Sequence, residues 1–444
     1  MPRPIDIIIT TNSPGEVAGW VRPAVDAIKA LPWETEISVF VPPCMFASGA
    51  ECGVIGSLPG VARVIGPKEV IKYATLGVRP KGFVPAPVGL VLFLGGDLAY
   101  AAILAKRLRY PAIAYTEGLA NWPASFARFA VPYTKMGRRL QSKGVSDAKL
   151  RVIGNLMLDA VKPELPPEEV RGALGIGQRP LLLLMPGSRP QHLEYMAPFL
   201  LQASQLAAGE ITDIAPIISL SPFVSEDQLA QALTGASASR LGFAGEYIPG
   251  RMTEDGRTAW ESPGIIRTRG GLTVPVLRGR QYDLMGAADL ALSLPGTNTA
   301  ELAYLNVPMI VVLQLEYPER IPLEGLPGLI GGIPVLGGAI KRWLLPKVLA
   351  KVEYTAWPNR LAGAAIVPEV RGKISPEDVG RQAIRLLSDP RRRADMSQRL
   401  AGLAGETGAS VRLAHLVAEV LTERYGAGAI SERDRGTKYD EHGA

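Results

Sequence analysis

The stretch 292–313, LSLPGTNTAELAYLNVPMIVVL, restricts the fold more than any other part of the chain. It reads as a short apolar strand, a turn at Pro295 and Gly296, a helix from about Asn298, a step at Val307 and Pro308, and a second apolar strand. Two apolar strands joined by a helix belong to a mostly parallel sheet with helices packed on its faces. The turn then delivers a helix N-terminus to the carboxyl edge of a strand, where a doubly wound sheet binds an anionic ligand. Thr297, Asn298 and Thr299 add side-chain donors, and one of them can cap the helix. Glu301 follows one turn in, where a carboxylate can accept from ribose hydroxyls. Taken alone, the stretch is as readily a capped helix with no ligand.

The same alternation runs through the rest of the chain. Residues 7–10 (IIIT), 37–41, 61–65, 90–94 (LVLFL) and 112–115 read as strands, with helices at 17–31 and 99–108. Continuous apolar runs of this kind suit strands buried on both faces of a parallel sheet. The proline-rich, acidic segment 163–167 (PELPP) is the best linker, and after it the pattern starts afresh. Residues 180–185 (PLLLLM) and 213–220 are strands, and 168–174, 196–207 and 225–233 are helices. Residues 240–282 differ, being rich in Gly and Arg; Gly270 and Gly271 mark the turn of an antiparallel hairpin. Helices at 376–387, 391–404 and 410–425 close the chain.

The expected architecture is therefore α/β: two Rossmann-like domains facing a cleft, with C-terminal helices. An N-terminal domain over 1–162 would bind an acceptor and a second over 168–390 a donor. Helices over 391–425 would pack across both, and 426–444 would form a disordered tail.

Composition removes several function classes. The chain has 444 residues and is 47% hydrophobic, ample for two cores. Its two cysteines, Cys44 and Cys52, are too widely spaced for a CxxC pair, and its three histidines cannot build a histidine-rich metal site. The net charge of +6 is modest, and no aromatic-plus-basic pattern accompanies it, so nucleic acid is not an expected partner. Anionic small molecules or an anionic membrane surface fit better. No signal peptide or uncharged apolar run of about 18 residues is visible, which makes the cytoplasm the expected location.

Four loops carry candidate chemistry. Pro186, Gly187, Ser188 and Arg189 follow a buried strand; glycine admits a close ligand, Ser188 offers a hydroxyl and Arg189 a planar fork suited to phosphate. Paired with Gly296, Thr297, Asn298 and Glu301 in the same half of the chain, this loop suits a sugar-nucleotide diphosphate. Neither a GxxxxGK[ST] nor a GxGxxG motif is present, which disfavours ATP hydrolysis and dinucleotide redox chemistry. In the first half, Asn12, Gly15 and Glu16 are candidates for a second substrate. Gly15 would mark a tight turn or a close approach of the ligand, and Glu16 would either contact that substrate or complement a helix N-terminus. Asp97 ends the run LVLFLGGD and is placed to act as general base toward a hydroxyl, as a helix N-cap, or as both. Glu117, in YTEG, is a weaker rival.

Residues 323–352 stand apart. LEGLPGLIGGIPVLGGAI is apolar and glycine-rich, and KRWLLPKVLAKV, with Trp343, is basic and amphipathic. This composition suits contact with an anionic membrane surface or a lipid. The alternatives are a core loop and helix, or the interface of a homodimer.

The order of these motifs resembles the lipid-A-disaccharide synthase family. NSPGEVAGW resembles the GEASGD-type loop that opens those enzymes, and GGDLAYAAILAKRL their aspartate-bearing strand-to-helix segment. VIGNLMLDAV resembles the hinge, LLLMPGSRPQHLEYMAPFLLQA the LLPGSR loop and helix, LPGTNTAELAYLNVPMIVV the SGTATLEAALLGVPMVV segment, and PNRLAGAAIVPEV the PNLLAGRELVPEL segment. The match runs in order over about residues 5–425. It departs from the family at Trp20 after Gly19, at Pro295 and Asn298, around Asp97 and in the hairpin near 245–280. These departures point to a related branch with a different lipid or sugar.

The resemblance implies a GT-B glycosyltransferase, inverting, with a UDP-sugar as substrate, no required metal and no resident cofactor. Gly187, Ser188 and Arg189 would contact the donor, and Gly296, Thr297, Asn298 and Glu301 would hold diphosphate and ribose. Asp97 would deprotonate a lipid acceptor at the inner face of the membrane, while Arg189 stabilises departing UDP. The alternatives are a UDP-sugar 2-epimerase-like enzyme on the same fold, for which His192 is the one histidine offered to the site, and a non-catalytic nucleotide- or lipid-binding homologue.

Overall fold

The computed structural model describes residues 4–44, 48–250, 261–314, 352–403 and 405–429. The expected membrane segment 323–352 lies outside the described residues except for Val352, and of the expected tail only 426–429 are described. The chain divides into two compact units. The first comprises Met1–Ala47, Glu51–Ala160 and Glu406–Ala444; the second comprises Ser48–Ala50 and Val161–Gly405.

The first unit is built on a seven-stranded sheet of β1 (Ile5–Thr10), β2 (Thr35–Phe40), β3 (Val61–Ile65), β4 (Gly89–Phe93), β5 (Ala112–Tyr115), β6 (Arg128–Val131) and β7 (Leu150–Val152). Their order is β3-β2-β1-β4-β5-β6-β7, and every pairing is parallel. Burial follows position in the sheet. Every residue of β1 and β4 is buried, whereas β3 and β7 at the edges are largely half-exposed. Around the sheet lie α1 (Pro14–Glu16), α2 (Arg22–Lys29), α3 (Glu51–Gly56), α4 (Pro67–Leu76), α5 (Leu98–Leu108), α6 (Thr134–Gln141) and α7 (Leu156–Ala160). The segment Val17–Val21 is a π-helix, an insertion that widens the turn between α1 and α2.

The second unit holds an eight-stranded sheet. It contains β8 (Leu181–Met185), β9 (Ala215–Ser219), β10 (Gly245–Pro249), β11 (Glu261–Thr268), β12 (Thr273–Arg278), β13 (Leu290–Ser293), β14 (Met309–Gln314) and β15 (Glu369–Gly372). The order is β10-β11-β12-β9-β8-β13-β14-β15. The parallel part is a second Rossmann-like core. The hairpin expected around Gly270 and Gly271 is present as antiparallel β11 and β12, and β10 extends it by one more antiparallel strand. The helices are α8 (Pro167–Ala173), α9 (Pro190–Glu210), α10 (Glu226–Thr234), α11 (Ala236–Leu241), α12 (Gln281–Ala287), α13 (Thr297–Tyr304), α14 (Trp357–Ala362), α15 (Pro376–Leu387) and α16 (Pro390–Ala401).

The last long helix, α17 (Ala409–Tyr425), returns to the first unit. Asp159 accepts from the amides of Gly408 (2.7 Å) and Ser410 (2.6 Å) and from the Ser410 hydroxyl (2.7 Å), so α17 starts on a buried carboxylate at the end of α7. Arg412 Nε donates to the Ile153 carbonyl at 2.6 Å, and Arg128 pairs with Glu419 and Glu423. Among the described residues no helix is long and apolar enough to cross a membrane.

Candidate functional site

In the second unit, β8 and β13 are parallel neighbours, with Met185 opposite Ser293. Adjacent strands of equal register end side by side. The loop 186–189 and the turn 294–296 therefore leave the same sheet edge together, and each opens a helix. Pro190 stands at the first position of α9 and Gly296 caps α13. Two helix N-termini therefore open from adjacent strand ends, with Ser188 and Arg189, both half-buried, on the first of the two loops. Gly187 has φ +106, and a Cβ there would stand 3.0 Å from His192 Cβ, so the turn admits no larger residue without displacement.

The α13 turn is braced from within. The Thr299 hydroxyl donates to the Gly296 carbonyl at 2.7 Å and accepts from the Trp357 amide at 3.1 Å. The Thr297 and Asn298 side chains are half-buried, whereas Thr299 is buried, so the first two remain the donors available to a ligand. Asn359 and Glu369, which the motif PNRLAGAAIVPEV supplies, form the knot behind this brace. Asn359 donates to the Val367 carbonyl and to Glu369, and accepts from the amides of Ile366 and Val367. Burial pushes the Glu369 carboxyl up, but donors from Thr355, Ala356 and Asn359 outweigh it and hold the group below its ordinary range. Sequence reasoning assigned these two residues no role; their presence in a matched motif was the available signal.

Glu301 is buried one turn into α13, where Oε1 accepts from the Tyr282 hydroxyl at 3.3 Å. Burial pushes its carboxyl up to about 7, against the opposing effect of that hydrogen bond. A carboxylate held out of water with one neutral donor has acceptor capacity left over. His192, in the first turn of α9, is pushed down to about 4 by burial and by the Arg189 charge, so its imidazole is neutral near pH 7.

In the first unit the same logic applies to β1 and β4, which are parallel neighbours with Thr10 opposite Phe93. The loop holding Asn12 and the loop holding Asp97 thus lie together. Asp97 is exposed and caps α5, its Oδ1 accepting from the Ala99 amide at 2.9 Å. Asn12 is buried against Gly96. Gly15 lies within α1 and is absent from the positive-φ residues, so the tight turn expected there is not made; the left-handed glycines of this site are Gly95 and Gly96. Glu16 turns its carboxylate inward, onto its own loop and onto Gly96. Glu117 is exposed on the loop after β5. Among the described residues no group of three or more His, Cys, Asp or Glu side chains is arranged to hold a metal ion.

Two Rossmann-like units, each with the candidate loops at the carboxyl edge of its sheet, form a GT-B-type α/β fold. Comparison with known proteins bears out the family resemblance. The chain is 26% identical over 388 residues to the lipid-A-disaccharide synthase of Anaeromyxobacter dehalogenans (strain 2CP-1 / ATCC BAA-258), covering 83% of each chain. It is 24% identical over 276 residues to the lipid-A-disaccharide synthase of Myxococcus xanthus, covering 61% of this chain and 57% of that one. Among solved structures, a UDP co-structure of S. aureus MnaA matches with a TM-score of 0.54 at 14% identity, covering 94% of this chain and 97% of that one. A UDP-N-acetylglucosamine 2-epimerase matches with a TM-score of 0.51 at 13% identity, covering 96% and 97%. These structural likenesses show the fold. No family model matches the chain.

Proposed function

We propose that this protein is a glycosyltransferase that moves a sugar from a UDP-sugar to a lipid acceptor at the cytoplasmic face of a membrane. The observation that carries the donor half is the pairing of the α9 and α13 N-termini beside Arg189, with buried Glu301 one turn behind. Diphosphate would take the two helix N-termini, Ser188 and Arg189, and ribose would give its hydroxyls to Glu301. Asp97 would accept the proton of the acceptor hydroxyl as that oxygen attacks the anomeric carbon. The bond to UDP breaks as the new one forms, inverting the carbon, and Arg189 with the α13 amides stabilises the charge on departing UDP. The sequence relatives named for disaccharide synthesis support transfer. The epimerase reading draws on fold likeness alone and on Glu301, whose carboxyl titrates near neutrality.

Glu301 supplies a test with a definite sign. Its carboxyl sits at about 7 in the folded chain against an ordinary 4.5. Between those values the folded chain keeps a proton that the unfolded chain has lost, so Glu301's contribution to stability falls as pH rises through this window and levels off above it. Ribose hydroxyls favour the charged form. Binding of a UDP-sugar, whose esterified diphosphate has no ionisation in this range, should therefore expel a proton between about pH 5 and 7 and tighten as pH rises through that range. Calorimetry in buffers of different ionisation enthalpy reads this directly, and Glu301→Gln should abolish it. Proton-neutral binding by the wild type would remove Glu301 from the nucleotide site.

The lipid half of the reading is supported by the surface formed by α4 and the segment after it. Ile71 (41%), Leu76 (75%), Val78 (54%) and Val84 (55%) are all exposed there. Lys68, Lys72, Arg79 and Lys81 are exposed among them, against the single acid Glu69. Exposed apolar side chains interspersed along the chain with cations suit an anionic lipid surface. Replacing Leu76, Val78 and Val84 together by Ser should cut co-sedimentation with phosphatidylglycerol vesicles by more than about tenfold, since each fully buried aliphatic contributes roughly 1.5–3 kcal/mol. Unchanged partitioning would take this face out of the proposal.

A further inference from the structure

One side chain joins the two loops of the first unit. Glu16 closes a capping box with Ser13, yet only part of its carboxylate serves its own helix. Oε2 accepts from the amides of Asn12 (3.2 Å) and Ser13 (3.2 Å) and from the Thr11 hydroxyl (3.4 Å). Oε1 reaches across to the amide of Gly96 at 3.3 Å. Gly95 lies flat against the same group: its φ is +140, and a Cβ there would fall 2.1 Å from Glu16 Cδ and Oε2. Asn12 covers the next residue in the same way, since a Cβ on Gly96 would stand 2.8 Å from Asn12 Nδ2. At the root of the loops, the Leu94 amide donates to the Thr10 carbonyl at 2.9 Å.

These contacts fix the backbone that carries Asp97. That residue has φ −98 and ψ 124, and its Oδ1 caps α5 through the Ala99 amide. Its direction is therefore set from the front by the cap and from behind by Glu16. Glu16 itself is committed, because a carboxylate withdrawn from water is tolerated only while its donors stay in place. Burial pushes its carboxyl up, and the donors from Asn12, Gly96 and Ser13 oppose that rise.

We propose that Glu16 is a positioning residue, which locks the Gly95–Gly96 turn to the 11–16 loop and so aims the Asp97 carboxylate at the acceptor hydroxyl. It is not itself an acceptor ligand. The inference rests on the reading of Asp97 as general base, and it explains why two successive left-handed glycines precede that residue. A bulkier residue at 95 would occupy the space of the Glu16 carboxylate.

The test uses the full-length protein and the variant Glu16→Gln, which keeps shape and removes the second acceptor oxygen. Hydrogen–deuterium exchange at the 94–97 amides should speed up by at least tenfold, while exchange in β1 and β4 stays unchanged. Turnover should fall at least tenfold with KM for the UDP-sugar unchanged, and adding Glu16→Gln to Asp97→Asn should cost little beyond Asp97→Asn alone, because both act through one carboxylate. If Glu16→Gln does not fold, Glu16→Asp carries the same expectations. Asp378 shows that the shorter acid closes a capping box in this chain, accepting from the Ser375 amide at 2.9 Å, but it would withdraw from Gly96. Unchanged exchange at 94–97 would overturn the lock. A raised acceptor KM with unchanged turnover would make Glu16 an acceptor ligand instead. If Asp97→Asn alone left turnover intact, the base assignment would fall, and the exchange result would still decide whether Glu16 holds the turn.

Discussion

Asp97→Asn should lower turnover by about 10²–10⁴-fold, the usual effect of removing a general base, and leave the affinity for UDP unchanged. The substitution is chosen because asparagine retains the oxygen that caps α5. The Ala99 amide keeps its acceptor, and Asn is as good an N-cap as Asp. The melting temperature should therefore hold while the chemistry fails. Asp97→Ala would lose cap and base together and could not separate them. Steady-state kinetics with saturating UDP-sugar, beside calorimetric titration of UDP, reads both halves. A fall in UDP affinity would mean that Asp97 supports the donor site; unchanged turnover would mean that another group, Glu117 being the nearest rival by sequence, removes the proton.

Arg189→Ala should weaken UDP binding by about 10–10²-fold, since a hydrogen bond to a charged group contributes roughly 1.5–3 kcal/mol. Arg189 is half-buried at the N-cap of α9, the helix end whose dipole carries the same sign as its charge. Lysine should rescue only in part, because a point charge replaces a planar fork that can grip two phosphate oxygens at once. The variant carries its own control. Arg189 is the second cause, after burial, of the depressed His192 pKa, so the imidazole should titrate higher in a protein that is still folded. His192 followed by NMR across pH 3–7 checks this. Unchanged UDP affinity, with His192 shifted, would remove Arg189 from the donor site.

Much of the fold is legible in the sequence because parallel strands buried on both faces are unbroken apolar runs. IIIT, LVLFL and LLLLM are the centres of β1, β4 and β8, where no water-facing residue interrupts the pattern. The hairpin at Gly270 and Gly271 is legible for a different reason, its left-handed turn residue. The short helices α3, α4 and α6 are not, since a few turns with exposed faces give little periodicity. The start of α9 is also obscured. Sequence periodicity begins it at Met196, but it opens at Pro190, because proline at the first helical position needs no amide partner.

The candidate site divides in the same way. Ser188, Arg189, Thr297 and Asp97 stand at strand ends and can be found from local pattern alone. Glu16 is found by pattern too, but what it does depends on Gly96, 80 residues further along the chain, and no periodicity reports that contact. The Tyr282 hydroxyl on Glu301 and the Trp357 amide on Thr299 are equally non-local. Of the two readings of Gly15, the turn is the one not made, for a simpler reason: a glycine near a helix start signals a turn, and here it lies inside α1.

The most direct measurement is mass spectrometry of the products formed when the protein is incubated with UDP-sugars and a membrane lipid extract. Sugar transfer predicts a lipid heavier by one sugar residue and one equivalent of UDP released per lipid modified, both lost in Asp97→Asn. Conversion of the UDP-sugar to an isomer with every lipid unchanged would contradict transfer and give the site to epimerisation.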